Sequence, residues 1–322
     1  MTGADAPRPF RVATEDGLEL AGESRLPSAA SPRAHVLVVH GFAEHRGRYA
    51  VLAAELAAAG FAVHLFDLRG HGESGGRRGH VDRFAEYRQD LDRVVEAVLP
   101  AANAAGSAPG PPAFLLGHSL GGLIALDAVL HRPEPFRGLA LSSPFLAPAF
   151  RMPPFARAFA GAAALLAPAA DFAAGLDPEG LSRDPEVVRR YREDPLVLSR
   201  LTAAWLGAVL DAQAAVLERA GELRLPVLLL LGGADPIADP ARGRALFDGL
   251  AANPAHRLEV YDGYRHEVFN ELGRERVVAD LLGWLSRVAP EPPGAGEPIP
   301  PPTPRAHPAP PARAPRAPGP RR

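Results

Sequence analysis

Cysteine and lysine are both missing from the 322-residue sequence, so all 35 of its basic residues are arginine. Without cysteine there is no disulfide, no thiolate metal site and no cysteine nucleophile. Without lysine a Walker A phosphate loop and a Schiff-base mechanism are both closed. Covalent chemistry in this chain must use Ser, Thr, Asp, Glu, His or Tyr. Charge of one sign is also scarce. The formal net charge of -2 leaves no strong nucleic-acid footprint. The most apolar run, FARAFAGAAALLAPAA at 155–170, contains Arg157 and Pro168 and is too short and alanine-rich to span a bilayer. The N-terminal MTGADAPRPF has no apolar core, so no signal peptide is expected and the expected compartment is the cytosol.

Apolar residues make up 47% of the chain, enough for a sizeable core. Strand-like and helix-like segments alternate through most of it. Leu18 to Arg25 reads as an early hairpin strand, and His35 to Val39, Phe61 to Phe66 and Ala113 to Leu116 as buried strands. Leu139 to Leu141, Val227 to Leu231 and Arg257 to Tyr261 follow. Between them, Tyr49 to Ala59, Asp82 to Leu99, Leu123 to His131 and Arg274 to Val288 have helical patterns. Alternation of this kind predicts an α/β fold, a mostly parallel sheet with helices on both faces. It breaks at about 145–222, which is helical and proline-containing without a convincing strand. The expected organisation is a core at 1–144 and 223–289, a helical insertion at 145–222, and a tail at 290–322. That tail holds 14 prolines, five arginines and two glutamates, and reads as disordered and solvated.

Three glycine motifs compete for the chemistry. Gly70-His-Gly-Glu-Ser-Gly75 fits a dinucleotide fingerprint, and Gly72 to Gly76 fits a G-x-S-x-G nucleophile elbow around Ser74. Both need a helix to open at once on the site. Gly76-Arg-Arg-Gly79 follows instead, so the loop continues. Ser74 is expected to bond the local backbone. Gly117-His-Ser-Leu-Gly121 passes every condition, with Phe114-Leu115-Leu116 before it and the apolar Leu123-Ile-Ala-Leu126 after it. Ser119 is therefore the candidate nucleophile.

A serine needs a base, and the base an orienting acid, in the chain order Ser, Asp or Glu, His. Asp235 follows the Val227 strand at a carboxyl end, where ligands collect. Asp239 precedes Pro240 and suits a helix N-terminus instead. Three histidines come after Asp235. His307 lies in the tail, His256 precedes the last strand, and His266 follows it by a short loop. His266 is the expected base. Backbone N–H groups of Leu120 and of Phe42, in the loop after the Val36 to Val39 strand, are the expected oxyanion donors. His35, His40 and His45 recur every five residues, but a strand running into a loop aims them apart. No metal and no cofactor are expected.

These motifs, with His40-Gly-Phe-Ala-Glu-His-Arg-Gly-Arg-Tyr49, Phe66-Asp-Leu-Arg-Gly-His-Gly-Glu-Ser74, Leu141-Ser-Ser-Pro144 and His266-Glu-Val-Phe-Asn-Glu271, resemble the monoacylglycerol lipase and lysophospholipase group of α/β-hydrolases. LDPEGLSRDPE at 176–186 and YREDPL at 191–196 are similar to bacterial lysophospholipase-like members. The resemblance runs over roughly residues 10 to 288 and excludes the tail. It implies the same triad and oxyanion donors, a helical cap over the site, and fatty-acyl monoesters of glycerol or lysophospholipid as substrates. Phe42 departs from the small residue common in the animal lipases. In the cap, Leu146, Phe159, Leu165 and Trp205 are candidate acyl-chain contacts, with Phe150, Phe155, Leu166, Leu201 and Val209 beside them. The cap would also carry any transient contact with a membrane surface. A transacylase using the same triad, or a general carboxylesterase of small esters, stays open.

Overall fold

The computed structural model describes residues 6–29, 31–99, 111–150 and 153–289, with backbone alone for 154–159. In chain order the strands are β1 (Arg8–Ala13), β2 (Glu19–Arg25), β3 (His35–Val39), β4 (Ala62–Phe66), β5 (Ala113–His118), β6 (Phe136–Ser142), β7 (Asp171–Ala173), β8 (Arg200–Thr202), β9 (Val227–Gly232) and β10 (Arg257–Tyr261). The helices are α1 (Ala50–Ala58), α2 (Ala85–Val98), α3 (Leu120–His131), α4 (Pro154–Leu166), α5 (Pro185–Glu193), α6 (Ala203–Arg219), α7 (Pro240–Asp248) and α8 (Arg274–Val288).

An eight-stranded sheet runs β1-β2-β4-β3-β5-β6-β9-β10. From β4 to β10 every pairing is parallel; β1 and β2 close one edge antiparallel. Strands β3, β4, β5 and β9 are buried along their whole length. Their sequences are accordingly mostly apolar, with His35, His64 and His118 as the polar exceptions, since helices cover both faces. Within each run the two-residue period still sorts the side chains. Leu37 and Val39 join the cluster with α2, α3 and α6, while Val36 and Val38 join the opposite cluster with α1 and α8. The α/β expectation from the sequence holds.

Three strands depart from the expectation. β1 was absent from it; its half-exposed edge position leaves a mixed pattern in RPFRVA. The segment at 145–222 is not free of strands either. β7 and β8 pair as an antiparallel ribbon, Phe172 opposite Leu201. Three residues each are too few for any period to register. The rest of this segment is α4, α5 and α6. Helix α6 is capped by Thr202, whose side chain accepts from Trp205 N–H, and buries Trp205, Val209 and Val216 in the main core cluster. The proline-rich tail lies outside the described residues.

The stretch from Gly70 to Gly79 is a loop with no helix. Its Ser74 is buried; the hydroxyl donates to Asp67 C=O at 2.6 Å and accepts Ala21 N–H at 2.9 Å. Asp239 caps α7, its carboxylate accepting Ala241 N–H at 2.9 Å. His256 accepts Val227 N–H at 3.0 Å, a bond at the start of β9.

Candidate active site

β5 ends at His118, Ser119 turns, and α3 begins at Leu120. Ser119 has φ 52° and ψ −118°, a region that costs a non-glycine residue about 1–3 kcal/mol. The surroundings hold it there. Its N–H donates to Ser142 C=O at 3.0 Å, and its C=O accepts from Gly122, Leu123 and Phe145. Only glycine fits at either side. A Cβ on Gly117 would lie 2.3 Å from Gly121 O, and one on Gly121 would lie 2.1 Å from Val39 O.

Asp235 leaves the carboxyl end of β9 and His266 that of β10, so adjacent strands bring them together. Asp235 Oδ2 accepts from His266 Nδ1 at 2.7 Å. Its other oxygen accepts Ile237 and Ala238 N–H at 2.8 and 3.0 Å. An ionised carboxylate only accepts, so the imidazole proton sits on Nδ1 and the Nε2 lone pair is uncommitted. Burial works to lower the His266 pKa, but the charge and hydrogen bond of Asp235 outweigh it, and the net shift is upward. The Ser119 hydroxyl makes no hydrogen bond among the described residues. His266 and Ser119 line the same cavity, as do Phe42 and Leu120. Neither Phe42 N–H nor Leu120 N–H has an acceptor among the described residues.

That cavity holds about 300 Å³. Trp205, Phe145, Phe150, Leu201 and Val209 are in its wall. Two expectations are corrected here. Leu146 is buried in the core cluster and does not reach the cavity; its neighbour Phe145 does. Leu165 is 81% exposed on α4 and does not line this cavity. The side chains of Phe155 and Phe159 lie outside the described ones.

Several wall residues were not assigned to the cavity from the sequence, although Glu44 lies in the loop that the family resemblance implies surrounds the oxyanion site. Glu44, Tyr191, Gln213 and Glu267 give the cavity a polar part. Glu267 receives Arg48 on both oxygens at 2.8 and 2.6 Å, and the Arg48 guanidinium lies 4.9 Å over the Tyr191 ring. Glu44 accepts from Gly41 N–H and from Tyr49 OH. Burial, then the charge of Glu267, push the Glu44 carboxyl up to about 7. Burial works the same way on Glu267, but Arg48 overrides it and holds that carboxyl below its usual value. The His118 ring lies tilted 4.8 Å from the His266 ring and is kept neutral by burial, down to about 3. The four-residue spacing of Glu44 and Arg48, and Glu267 directly after His266, were the available signals. No group of three His, Asp or Glu suited to a metal occurs among the described residues.

Residues 30–273 match the family described as serine aminopeptidase, S33. The chain belongs to this family of α/β-hydrolases. A monoacylglycerol lipase of Mycolicibacterium smegmatis is 36% identical over 255 residues, covering 79% of this chain and 88% of the relative. Human monoglyceride lipase is 33% identical over 264 residues, covering 80% of this chain and 84% of its own. The crystal structure of Paleococcus ferrophilus monoacylglycerol lipase superposes with a TM-score of 0.73 at 36% identity, over 84% of this chain and 99% of that one. With such relatives this α/β-hydrolase is a carboxylic ester hydrolase by family. No helix among its described residues is long and apolar enough to cross a membrane.

Proposed function

We propose that this α/β-hydrolase cleaves fatty-acyl monoesters, monoacylglycerols before lysophospholipids, through an acyl-enzyme on Ser119. The observation that carries the reading is an imidazole tied by Nδ1–H to Asp235 at 2.7 Å, lining the same largely apolar cavity as a strained serine. His266 Nε2 takes the Ser119 proton as Oγ attacks the ester carbonyl. Phe42 and Leu120 N–H groups stabilise the oxyanion. The alcohol leaves with that proton, and water, deprotonated by His266, then releases the acid. Asp235 stabilises the imidazolium throughout. No metal or cofactor takes part.

Residues 145–222 act as the cap. Trp205, Leu201 and Val209 contact the acyl chain; the polar part around Glu44 and Glu267 faces the alcohol. Monoacylglycerol comes first because the relatives carry that name. The exposed Leu165 and Leu166, both 81% accessible, support transient contact with a membrane surface.

A panel of monoacylglycerols, lysophospholipids and short esters at several chain lengths, assayed for released fatty acid, tests the substrate. Ser119→Ala should abolish turnover and labelling by a serine-directed phosphonate, with an unchanged circular dichroism spectrum. Persistent labelling would remove Ser119 from the mechanism. Acyl transfer to added glycerol in place of fatty-acid release would make the enzyme a transacylase.

A further inference from the structure

Helix α6 brings Trp205, Leu206, Val209, Leu210 and Gln213 to the cavity. The first four are hydrophobic, and their one polar atom is already committed: Trp205 Nε1–H donates to Tyr87 OH at 3.1 Å. Gln213 is different. It follows Trp205 and Val209 at four-residue steps, which puts it on the same stripe of the helix, the stripe assigned above to the acyl chain. It is only 4% exposed, so its amide is withdrawn from bulk water.

That amide is used at one end. The nitrogen lies 2.9 Å from Phe145 C=O. A carbonyl only accepts, so the NH2 group faces it and the amide oxygen is the other end. Gln213 Oε1 makes no hydrogen bond among the described residues. Nor is it sealed in the protein without a partner, as Ser143 Oγ is. The side chain borders the cavity, and the oxygen opens to it. A plain methylene chain lying there would strip the oxygen of water and leave it unpaired, which is unfavourable. A hydroxyl on the chain would pair with it.

The bonding also fixes which part of the chain is met. Phe145 N–H donates to Ser119 C=O at 3.0 Å, so Phe145 links Gln213 to the elbow itself. Along that bonded path the amide nitrogen is at most about 10 Å from the Ser119 carbonyl. The oxygen therefore faces the part of a bound acyl chain next to its ester, not its methyl end.

We propose that Gln213 is a specificity-determining residue: its Oε1 accepts a hydrogen bond from a hydroxyl carried on the ester-proximal carbons of the acyl group, so that the preferred substrates are hydroxyacyl esters. This deepens, and rests on, the reading of Ser119 as the nucleophile of a fatty-acyl esterase. A glutamine that served only to tie α6 to Phe145 would behave otherwise, since its loss would slow every ester alike.

The test compares dodecanoyl monoesters of glycerol. One set carries a hydroxyl on the third, fifth or seventh acyl carbon; a second carries a methoxy group there, which cannot donate; a third is unsubstituted. For the wild type, the best hydroxy ester should exceed both its methoxy counterpart and the unsubstituted ester in kcat/KM by about tenfold or more. In Gln213→Leu that preference should fall to about onefold or below. Taking ratios within each variant cancels any disturbance passed through Phe145 to Ser119, because all the esters share it. Equal kcat/KM for the three sets in the wild type, or a preference that survives Gln213→Leu, overturns the proposal. Thermal unfolding checks that the variant is folded. Should it fail to fold, the hydroxy-to-methoxy ratio of the wild type decides alone. Turnover retained by Ser119→Ala overturns the underlying reading instead, whatever the ratios.

Discussion

Asp235 divides its two oxygens between the backbone and His266, so the carboxylate cannot swing away without breaking three hydrogen bonds. Its charge raises the His266 pKa against the pull of burial. A base must be neutral to act, so kcat/KM should rise with pH along a limb whose midpoint lies above 6.5, the ordinary histidine value. Asp235→Asn removes the largest raising influence and leaves burial opposed only by the lesser pull of Glu267 and Glu44. The midpoint should move to the acid side while kcat drops roughly 10⁴-fold, because the tautomer is no longer enforced. A pH–rate profile in which the midpoint stays in place would show that another group sets it. At this scale the sequence was informative wherever chemistry is tied to chain order. The turn at Ser119 between β5 and α3 was legible from its flanking elements, and the pairing of His266 with Asp235 because only one histidine follows the last strand by a short loop. The cavity wall was not. Phe145 and Leu146 are adjacent and both apolar, and only the turn after β6 decides which one faces inward.

The elbow is an element-level device, since β3, β5 and α3 must come together for it to form. Gly121→Ala would drive a Cβ to 2.1 Å from Val39 O, against backbone that cannot yield. We expect the variant to lose at least about 3 kcal/mol of stability, with turnover falling in the soluble fraction as Ser119 is displaced. Urea unfolding measures the first and phosphonate labelling the second. Unchanged stability would mean that the elbow is looser than its packing indicates. Long buried runs such as VLLLLG announced their strands because parallel sheets need them. The β7–β8 ribbon stayed hidden because its pairing comes from tertiary packing: Thr202 N–H and the His80 ring reach across to join it to the 70–80 loop.

For the whole molecule, the count of buried neutral histidines governs behaviour in acid. Burial holds His40, His64, His71 and His118 each near 3. In the unfolded chain the same residues take protons from about 6.5 downward. The folded state refuses them until about 3, so stability is lost as pH falls through that window. Each such histidine contributes about 1.4 kcal/mol per pH unit to the slope. His266 and Glu44 run the other way: their raised pKa values add stability at low pH that is lost as pH rises, against the four histidines. The urea midpoint should therefore be clearly lower at pH 5 than at pH 7. His64→Gln, at a position bonded to Ser24 Oγ at 2.8 Å and His35 Nδ1 at 3.0 Å, should remove one histidine's share of the slope. Coincident midpoints at the two pH values would contradict this account. Nothing in the sequence marks these histidines as buried; His64 looks like a polar interruption in AVHLF until its strand is sealed on both sides.

The loop from Gly70 to His80 matched two catalytic patterns and serves neither, yet it holds two parts of the molecule in register. At one end His71 backs Phe42 and His40. At the other, Gly79 C=O accepts Thr202 N–H, and Arg78 donates to Leu196 C=O at 2.9 Å. Gly79 has no room for a side chain, since a Cβ would lie 2.3 Å from Arg200 O. For protein engineering this makes 70–80 and 145–222 one exchangeable cassette: a graft that brings the 145–222 segment from a relative has to bring that relative's glycine loop along with it.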